Sequence, residues 1–585
     1  RPPCGDCGSV QTDFAGPTTY QLQVSWLPPA LAGLVIGALF ILPFVLFSAT
    51  AGQLADKLEK ARLIRLVKGL EIAIMLLAGW GFVQRDAPVL LACVFLMGLH
   101  STLFGPVKFA YLPQHLGERE ITGGNGMVEM GTFVAILLGQ VAGGLLVALP
   151  EVGPRLVAAA CLAVALLGRA IAQAVPQSPA TDPGLKINWN PFSETWRNLK
   201  LARDDAVVFR SLLGISWMWF FGAVFLAMFP AFAKEVLHGD ERVASLLLVL
   251  FSVGVGVGAL ACEMLSRRHV EIGLVPLGAI GMSLFAVDLY FASRALPASP
   301  LQPLGRFVAE PAHWRVMADL AGLSLSAGVY SVPMYALIQL RSLVTHRARI
   351  IAANNILNAL FMIVSALGVG LLLQAGLSIP QVFLAVGLLN AAVSFWVFVL
   401  VPDYLLRFAA FVLARAVYRV QLQGDEHVPL RGAALLVCRP AGAVGALLLL
   451  AASPRPIRFL MDRRLVERPL VGGLFRLGRA IPLGAAPGDA AGDGQAIALA
   501  RRALDEGELV CVFAEHVEVD GPSGTVDAGL LQVLRAHPVP VVPLALGAAR
   551  RGPFARVRLV AGAPLAGTGP SPASLRERLG ALADP

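Results

Sequence analysis

The chain has 585 residues, 56% of them hydrophobic and only 15% charged, with a mean hydropathy of +0.70. That apolar content exceeds what the core of a soluble protein of this length needs, and it points to a chain that crosses a bilayer many times. The net charge of +9 fits Lys and Arg in cytoplasmic loops rather than a nucleic-acid surface, so no nucleic-acid partner is expected.

Residue 1 is Arg and the first methionine is Met75, so the sequence reads as processed or incomplete at its start. Residues 1–29 show no basic-then-apolar signal peptide and read as a loop or tail. Cys4 and Cys7 form a C-x-x-C in this segment. No second pair completes a zinc site, so a disulfide or a chance pair is expected, with no metal and no cofactor.

About eleven apolar spans follow, each near the roughly 20 residues that a helix needs to cross a bilayer. Five fall at 30–50, 66–83, 88–106, 126–148 and 157–175. A polar stretch covers 177–210, and six more spans fall at 211–233, 245–265, 272–292, 317–340, 350–373 and 382–401. Between the first two lies a short charged stretch with Gly52, Asp56, Lys57, Lys60 and Arg62, expected to be a loop at the membrane surface. Lys/Arg excess beside a span marks the cytoplasmic side. Alternation from there puts the segments around Lys108 and Arg119, 177–210, Arg267 and Arg268, Arg341 to Arg349, and Arg407 and Arg415 on that same side. In the second half a basic loop, Ser266-Arg267-Arg268-His269, follows the second span. The Gly52 stretch follows the first visible span. If the halves are equivalent repeats, the first half lacks its first helix.

Polar groups inside apolar spans are costly and are the first candidates for a transport path. Asn125, Glu129 and Thr132 share one helical stripe, with Glu129 the sharpest of the three. The alternative for Glu129 is a helix-end carboxylate paired with a neighbouring base. Gln339, Asn354 and Asn358 are the candidates in the second half. Asn354 and Asn358, one turn apart, either hydrogen-bond between helices or line a cavity. Beyond the spans, residues 403–423 mix Leu and Phe with Arg and read either as an amphipathic helix on anionic headgroups or as an extension of the last span. From residue 424 short apolar runs at 433–437, 509–513 and 541–546 read as buried strands of an α/β domain ending near 567. Residues 568–585 read as a tail.

The pattern Gly52-Gln53-Leu54-Ala55-Asp56-Lys57-Leu58-Glu59-Lys60-Ala61-Arg62 resembles the loop between the second and third helices of major facilitator transporters. The runs Phe104-Gly105-Pro106-Val107-Lys108 with Leu112-Pro113, Asn125-Gly126-Met127-Val128-Glu129-Met130-Gly131-Thr132-Phe133, and Arg347-Ala348-Arg349-Ile350-Ile351-Ala352-Ala353-Asn354-Asn355-Ile356-Leu357-Asn358 are similar to those of bacterial lysophospholipid transporters of that superfamily. The resemblance covers about residues 30–402. It implies an α-helical polytopic membrane protein of the major facilitator fold in a bacterial inner membrane, with lysophospholipid and membrane lipids as partners. The family's first helix carries an Asn-Asp-Asn-type motif that has no counterpart here. Family members are often joined to an acyltransferase.

Residues 424–567 resemble the glycerophospholipid acyltransferases. These use a His as general base on the acceptor hydroxyl and an Asp five residues later to orient it. At the corresponding place the chain has Pro440 and Gly445, neither of which has a side chain that takes a proton. The next family motif, Phe-Pro-Glu-Gly, reads Phe513-Ala514-Glu515-His516, keeping only Glu515 of its polar content. Val539-Pro540-Val541-Val542-Pro543 matches a later structural element. Arg463 and Arg476 are candidates for holding a lipid phosphate, or are ordinary surface arginines. Three functions follow: a transporter whose cytoplasmic tail is silent, a bifunctional transporter and acyltransferase, or a scaffold whose tail recruits an acyltransferase or an acyl carrier protein.

Overall fold

The computed structural model describes residues 29–147, 149, 152–266, 271–294, 296–297, 300–400, 406, 408–410, 412, 418–429, 432–438, 442–453, 457–467, 471–483, 490–513, 539–548, 556–565 and 572–583. Eleven of the described helices are long and apolar enough to cross a membrane. In chain order the helices before the tail are α1 (Pro29–Lys57), α2 (Lys60–Gln84), α3 (Ala87–His115), α4 (Ile121–Val147), α5 (Gly153–Ile171), α6 (Pro191–Arg203), α7 (Ala206–Ala231), α8 (Glu241–Ser266), α9 (Leu274–Ser293), α10 (Leu304–Ala309), α11 (Pro311–Arg341), α12 (Arg347–Gln374) and α13 (Ile379–Leu400). The short α6 and α10 are the two that do not span. Many charged residues sit near the ends of the spans, because a charge in hydrocarbon has no solvent, and those further in include Lys68 and Glu71 of α2, which pair at 2.7 Å.

The chain divides into two compact units. The first draws on Arg1–Gln114, Ala135–Phe209 and Arg341–Ile363. In it α2 packs along α5, and α6 lies against α1. The start of α12, far along the chain, belongs to this unit. The second unit draws on His115–Val134, Arg210–Leu340 and Val364–Pro585, so it holds the start of α4 together with α7 to α11. Here α9 packs along α13. The α8–α11 contact is unusually close. A Cβ on Gly258 would come within 2.0 Å of the Leu325 carbonyl oxygen, and one on Gly328 within 2.3 Å of that of Val255. Reciprocal glycines let two backbones touch where lipid supplies no hydrophobic drive.

After the spans the chain builds one seven-stranded sheet in the order β1-β7-β6-β2-β5-β3-β4. The strands are β1 (Arg419–Gln423), β2 (Ala434–Cys438), β3 (Ile457–Met461), β4 (Ile481–Pro482), β5 (Leu509–Phe513), β6 (Val541–Ala548) and β7 (Arg556–Ala561). Only β6 and β7 pair antiparallel. β2 and β5 are buried along their whole length. Parallel strands with both faces covered have to be apolar throughout, and these two are. Leu436, Cys438, Cys511 and Phe513 join a core on one face with the helix Gly442–Ala452. Leu435, Val437, Val510 and Val512 join a core on the other with the helix Ala490–Asp505. Gly507, at φ +78°, follows the end of that last helix, where a left-handed backbone favours glycine.

Two expectations at the edges of this domain are corrected. Residues 568–585 are not simply a tail. Pro572–Ala583 is a helix, and its Leu575 and Leu579 are buried in the second core. The amphipathic linker over 403–423 does not run to its expected end either. Arg419–Gln423 is β1, and Leu406 and Ala410 are buried in the first core rather than presented to lipid. A helical face needs only two or three apolar residues to join a core, and Leu575 and Leu579 are enough for the last helix.

Candidate functional site

The charged stretch after the first span is not a loop. Gly52, Gln53, Asp56 and Lys57 form the last turns of α1, and only Leu58 and Glu59 separate it from α2. The Glu59 side chain accepts from the backbone N–H groups of Ala61 and Arg62 and so caps α2. It also accepts from the Ser178 N–H at 2.8 Å. Burial pushes the Glu59 carboxyl up, but these three backbone donors outweigh it and hold the group below its ordinary value.

Asp56 is fully buried. One carboxylate oxygen accepts from the Ala348 N–H at 3.2 Å and from the Thr181 hydroxyl at 3.1 Å. The other accepts from the Arg349 N–H at 3.3 Å and from its Nε at 3.2 Å. Ala348 and Arg349 open α12, so Asp56 caps the positive end of a helix some 290 residues away in sequence. The Arg349 guanidinium, itself buried, also donates to Asp182 at 3.2 Å and to the Thr345 carbonyl at 2.8 Å. Gly52 allows this approach. A Cβ there would stand 2.7 Å from that of Ala352 and 3.0 Å from the Ala348 carbonyl oxygen. The Gln53 amide exchanges two hydrogen bonds with the Asn188 backbone, at 2.9 and 2.7 Å, and Lys60, fully buried, reaches the Pro179 carbonyl. Of the five residues expected in this group, Gly52, Asp56 and Lys60 are inside it. Lys57 is half-buried and Arg62 is exposed. Arg349, Thr181, Asp182 and Gln53 were not picked out as site residues. Their signal was present, as an Arg-x-Arg opening a span and polar residues in a linker, but nothing local says which acid meets which base.

A second polar contact lies in the other unit. Asn125 on α4 donates to the Gln339 side chain at 2.6 Å, and Gln339 on α11 donates back at 3.0 Å. Both are buried, as is Glu129 one turn further along α4. The Thr132 hydroxyl is turned onto its own helix, donating to the Val128 carbonyl at 2.7 Å. Glu263 on α8 packs on the start of α4, where a Cβ on Gly123 would meet its carboxylate at 2.4 Å. The structure therefore joins Asn125 with Gln339, a pair that sequence spacing cannot connect. Asn354, on the α12 segment of the first unit, is 1% exposed, and neither polar atom of its amide has a hydrogen-bond partner. Asn358 is also buried. A buried amide without a partner is rare.

In the tail, Cys438 of β2 is in register with Phe513 of β5. These two strands end together at the carboxyl edge of the sheet, where open α/β sheets bind ligands, and in the sequence the degenerate base motif follows the first and the Glu515 motif the second. Pro440 and Glu515 lie outside the described residues. Gly445 is buried within the helix Gly442–Ala452. Burial pushes the Cys438 thiol up to about 12 and that of Cys511 well above its ordinary value, so neither is a nucleophile near neutral pH. His427 is engaged with the Ala561 carbonyl at 2.9 Å. Arg463 pairs with Glu467 at 3.2 Å, and Arg476 is exposed, with its Nε on the Gly472 carbonyl.

Many apolar spans, buried polar contacts between them and an appended α/β sheet define a multi-pass membrane protein with an extra domain. Residues 10–299 match the family model of the Major Facilitator Superfamily, and residues 419–547 match that of the Acyltransferase family. The chain is a fusion of a major facilitator domain with an acyltransferase-family domain. It is 27% identical over 328 residues to the lysophospholipid transporter LplT of Serratia proteamaculans, covering 55% of this chain and 73% of that one. Over 325 residues it is 29% identical to LplT of Klebsiella pneumoniae, covering 54% and 72%.

Proposed function

We propose that the chain moves lysophospholipids across a bacterial inner membrane, and that its cytoplasmic acyltransferase-like domain binds lipid without transferring acyl groups. The observation that carries the first part is the buried polar set on apolar helices: Asn125, Glu129 and Gln339 in one unit and Asn354 in the other. Water-free polar side chains cost free energy in a span and persist where a polar headgroup has to pass. Two relatives that are 27% and 29% identical to the chain over 328 and 325 aligned residues are lysophospholipid transporters. The Asp56–Arg349 contact, on the side that Lys and Arg mark as cytoplasmic, ties the end of α1 to the start of α12 and is the candidate gating contact. Arg463 and Arg476 remain the candidates for holding lipid phosphate in the tail.

The silent tail rests on Pro440 and Gly445. Loss of a general base removes on the order of two to four powers of ten in rate, and the described cysteines and His427 do not replace it. The purified chain in liposomes, given a labelled lysophospholipid and an acyl donor, is expected to show transbilayer movement with no diacyl product. Product formation would make the domain an active enzyme. Glu129→Gln is expected to lower movement with membrane insertion unchanged. Wild-type movement in that variant removes Glu129 from the path.

A further inference from the structure

The polar stretch between α5 and α7 holds a helix that is inside out. Asn190 caps α6 by accepting from the Phe192 and Ser193 N–H groups, and Pro191 opens it. The face turned to the protein is polar, with Glu194 and Asn198 fully buried beside Ala202. The outer face carries the aromatics. Trp189, just before the helix, and Phe192 and Trp196 on it are 71%, 76% and 65% exposed. Phe192, Trp196, Lys200 and Arg203 follow one another at intervals of four, four and three, so they form a single stripe. A soluble helix buries such a stripe and shows its acid and amide to water.

Two observations say what covers it. First, the exposed charge is almost all of one sign. Lys186, Arg197, Lys200 and Arg203 are exposed, Glu194 is buried, and Asp205 is taken by Arg341 at 2.9 Å. Asp204 is the one exposed acid of α6 and its flanks. Second, the stripe is continuous with a span. The Arg203 guanidinium lies 6.0 Å from the Trp196 ring centroid and 5.1 Å from that of Phe209, in the first turn of α7. Only Asp204 and Asp205 separate α6 from that span. Aromatic rings level with the end of a span, flanked by bases on the side that Lys and Arg mark as cytoplasmic, match the chemistry of the headgroup region.

We propose that α6 is an in-plane helix of the cytoplasmic leaflet. Trp189, Phe192 and Trp196 insert at headgroup depth, and Lys200 and Arg203 bind the phosphates of anionic phospholipids. The site is independent of what the spans transport. It makes the linker between the two sets of spans sensitive to the anionic lipid content of the leaflet that it touches.

The test uses the full chain in vesicles of phosphatidylcholine, with or without phosphatidylglycerol. Tryptophan emission is recorded for the wild type and for Trp189→Phe/Trp196→Phe, and their difference is assigned to the two ring positions. The difference emission is expected to be blue-shifted and quenched by lipids brominated near the headgroup, with more quenching when phosphatidylglycerol is present. Lys200→Gln/Arg203→Gln is expected to lose the phosphatidylglycerol increment and keep the quenching in phosphatidylcholine. Difference emission at the wavelength of tryptophan in water, or blue-shifted emission that brominated lipid leaves unquenched, overturns the proposal. The second of these outcomes means that protein, not lipid, covers the face. A phosphatidylglycerol increment unchanged in the charge variant overturns the phosphate assignment.

Discussion

The spans and the C-terminal sheet differ in what they bury. α1, α4, α11 and α12 carry Gln53, Asp56, Asn125, Glu129, Gln339, Arg349 and Asn354 with almost no exposed surface. The two central strands of the sheet, β2 and β5, bury only Ala, Leu, Val, Cys and Phe. Apolar strands need nothing but each other, so the sheet stands whether or not chemistry remains at its edge. The polar groups in the spans are different. Each costs free energy unless a partner answers it, and several are answered by residues more than 200 positions away. The acyltransferase-like region is thus held by packing, and the transporter region by specific polar contacts. Substitutions at four places test that contrast.

The largest effect is expected at Asp56. Removing one partner of a buried ion pair costs about 3–5 kcal/mol. Asp56→Ala should therefore lower the melting temperature of the detergent-purified chain and abolish lysophospholipid movement. Asp56→Ala/Arg349→Ala should melt closer to wild type than either single change, because no buried charge is then stranded. A single variant that melts like the wild type would break the contrast from the membrane side. Leu579→Ala tests it from the other. Truncating a buried leucine costs about 2–5 kcal/mol, felt within the sheet's second core. Limited proteolysis should release the C-terminal domain faster while lipid movement holds.

A smaller loss is expected from Asn125→Leu, which strands the Gln339 amide at a cost of about 1–3 kcal/mol. In a double-mutant cycle of melting temperatures, Asn125→Leu/Gln339→Leu should recover part of that loss. Simple additivity would mean that the pair contributes nothing as a pair. The smallest effect belongs to Glu59→Ala, which removes a helix cap worth about 1 kcal/mol. Because the folded state holds this carboxyl below its ordinary value, the stability it adds is complete above the unfolded value of about 4.3. It is lost as pH falls through the lower folded value. The difference in melting temperature between wild type and Glu59→Ala should shrink on acidification and stay flat from pH 6 upward, roughly two units above that value.

Apolar run length by itself determined the eleven spans among the described residues, because hydrocarbon forces every backbone group into a helix, and Lys/Arg placement carries the proposed cytoplasmic side. Apolar runs also located three of the strands after 424, β2, β5 and β6, where the runs are unbroken, and missed β3, β4 and β7. The motif resemblance carried the two families and located Pro440 and Gly445. The tertiary structure alone decided which polar residues answer one another. It capped α12 with Asp56, joined Asn125 to Gln339 and left Asn354 without a partner. It also turned the aromatic face of α6 outward, made a strand of 419–423 and made a core helix of 572–583. The reason is physical. Periodicity reports which face of an element is apolar, whereas a hydrogen bond between residues hundreds of positions apart depends on where two chains cross, and no local pattern records that.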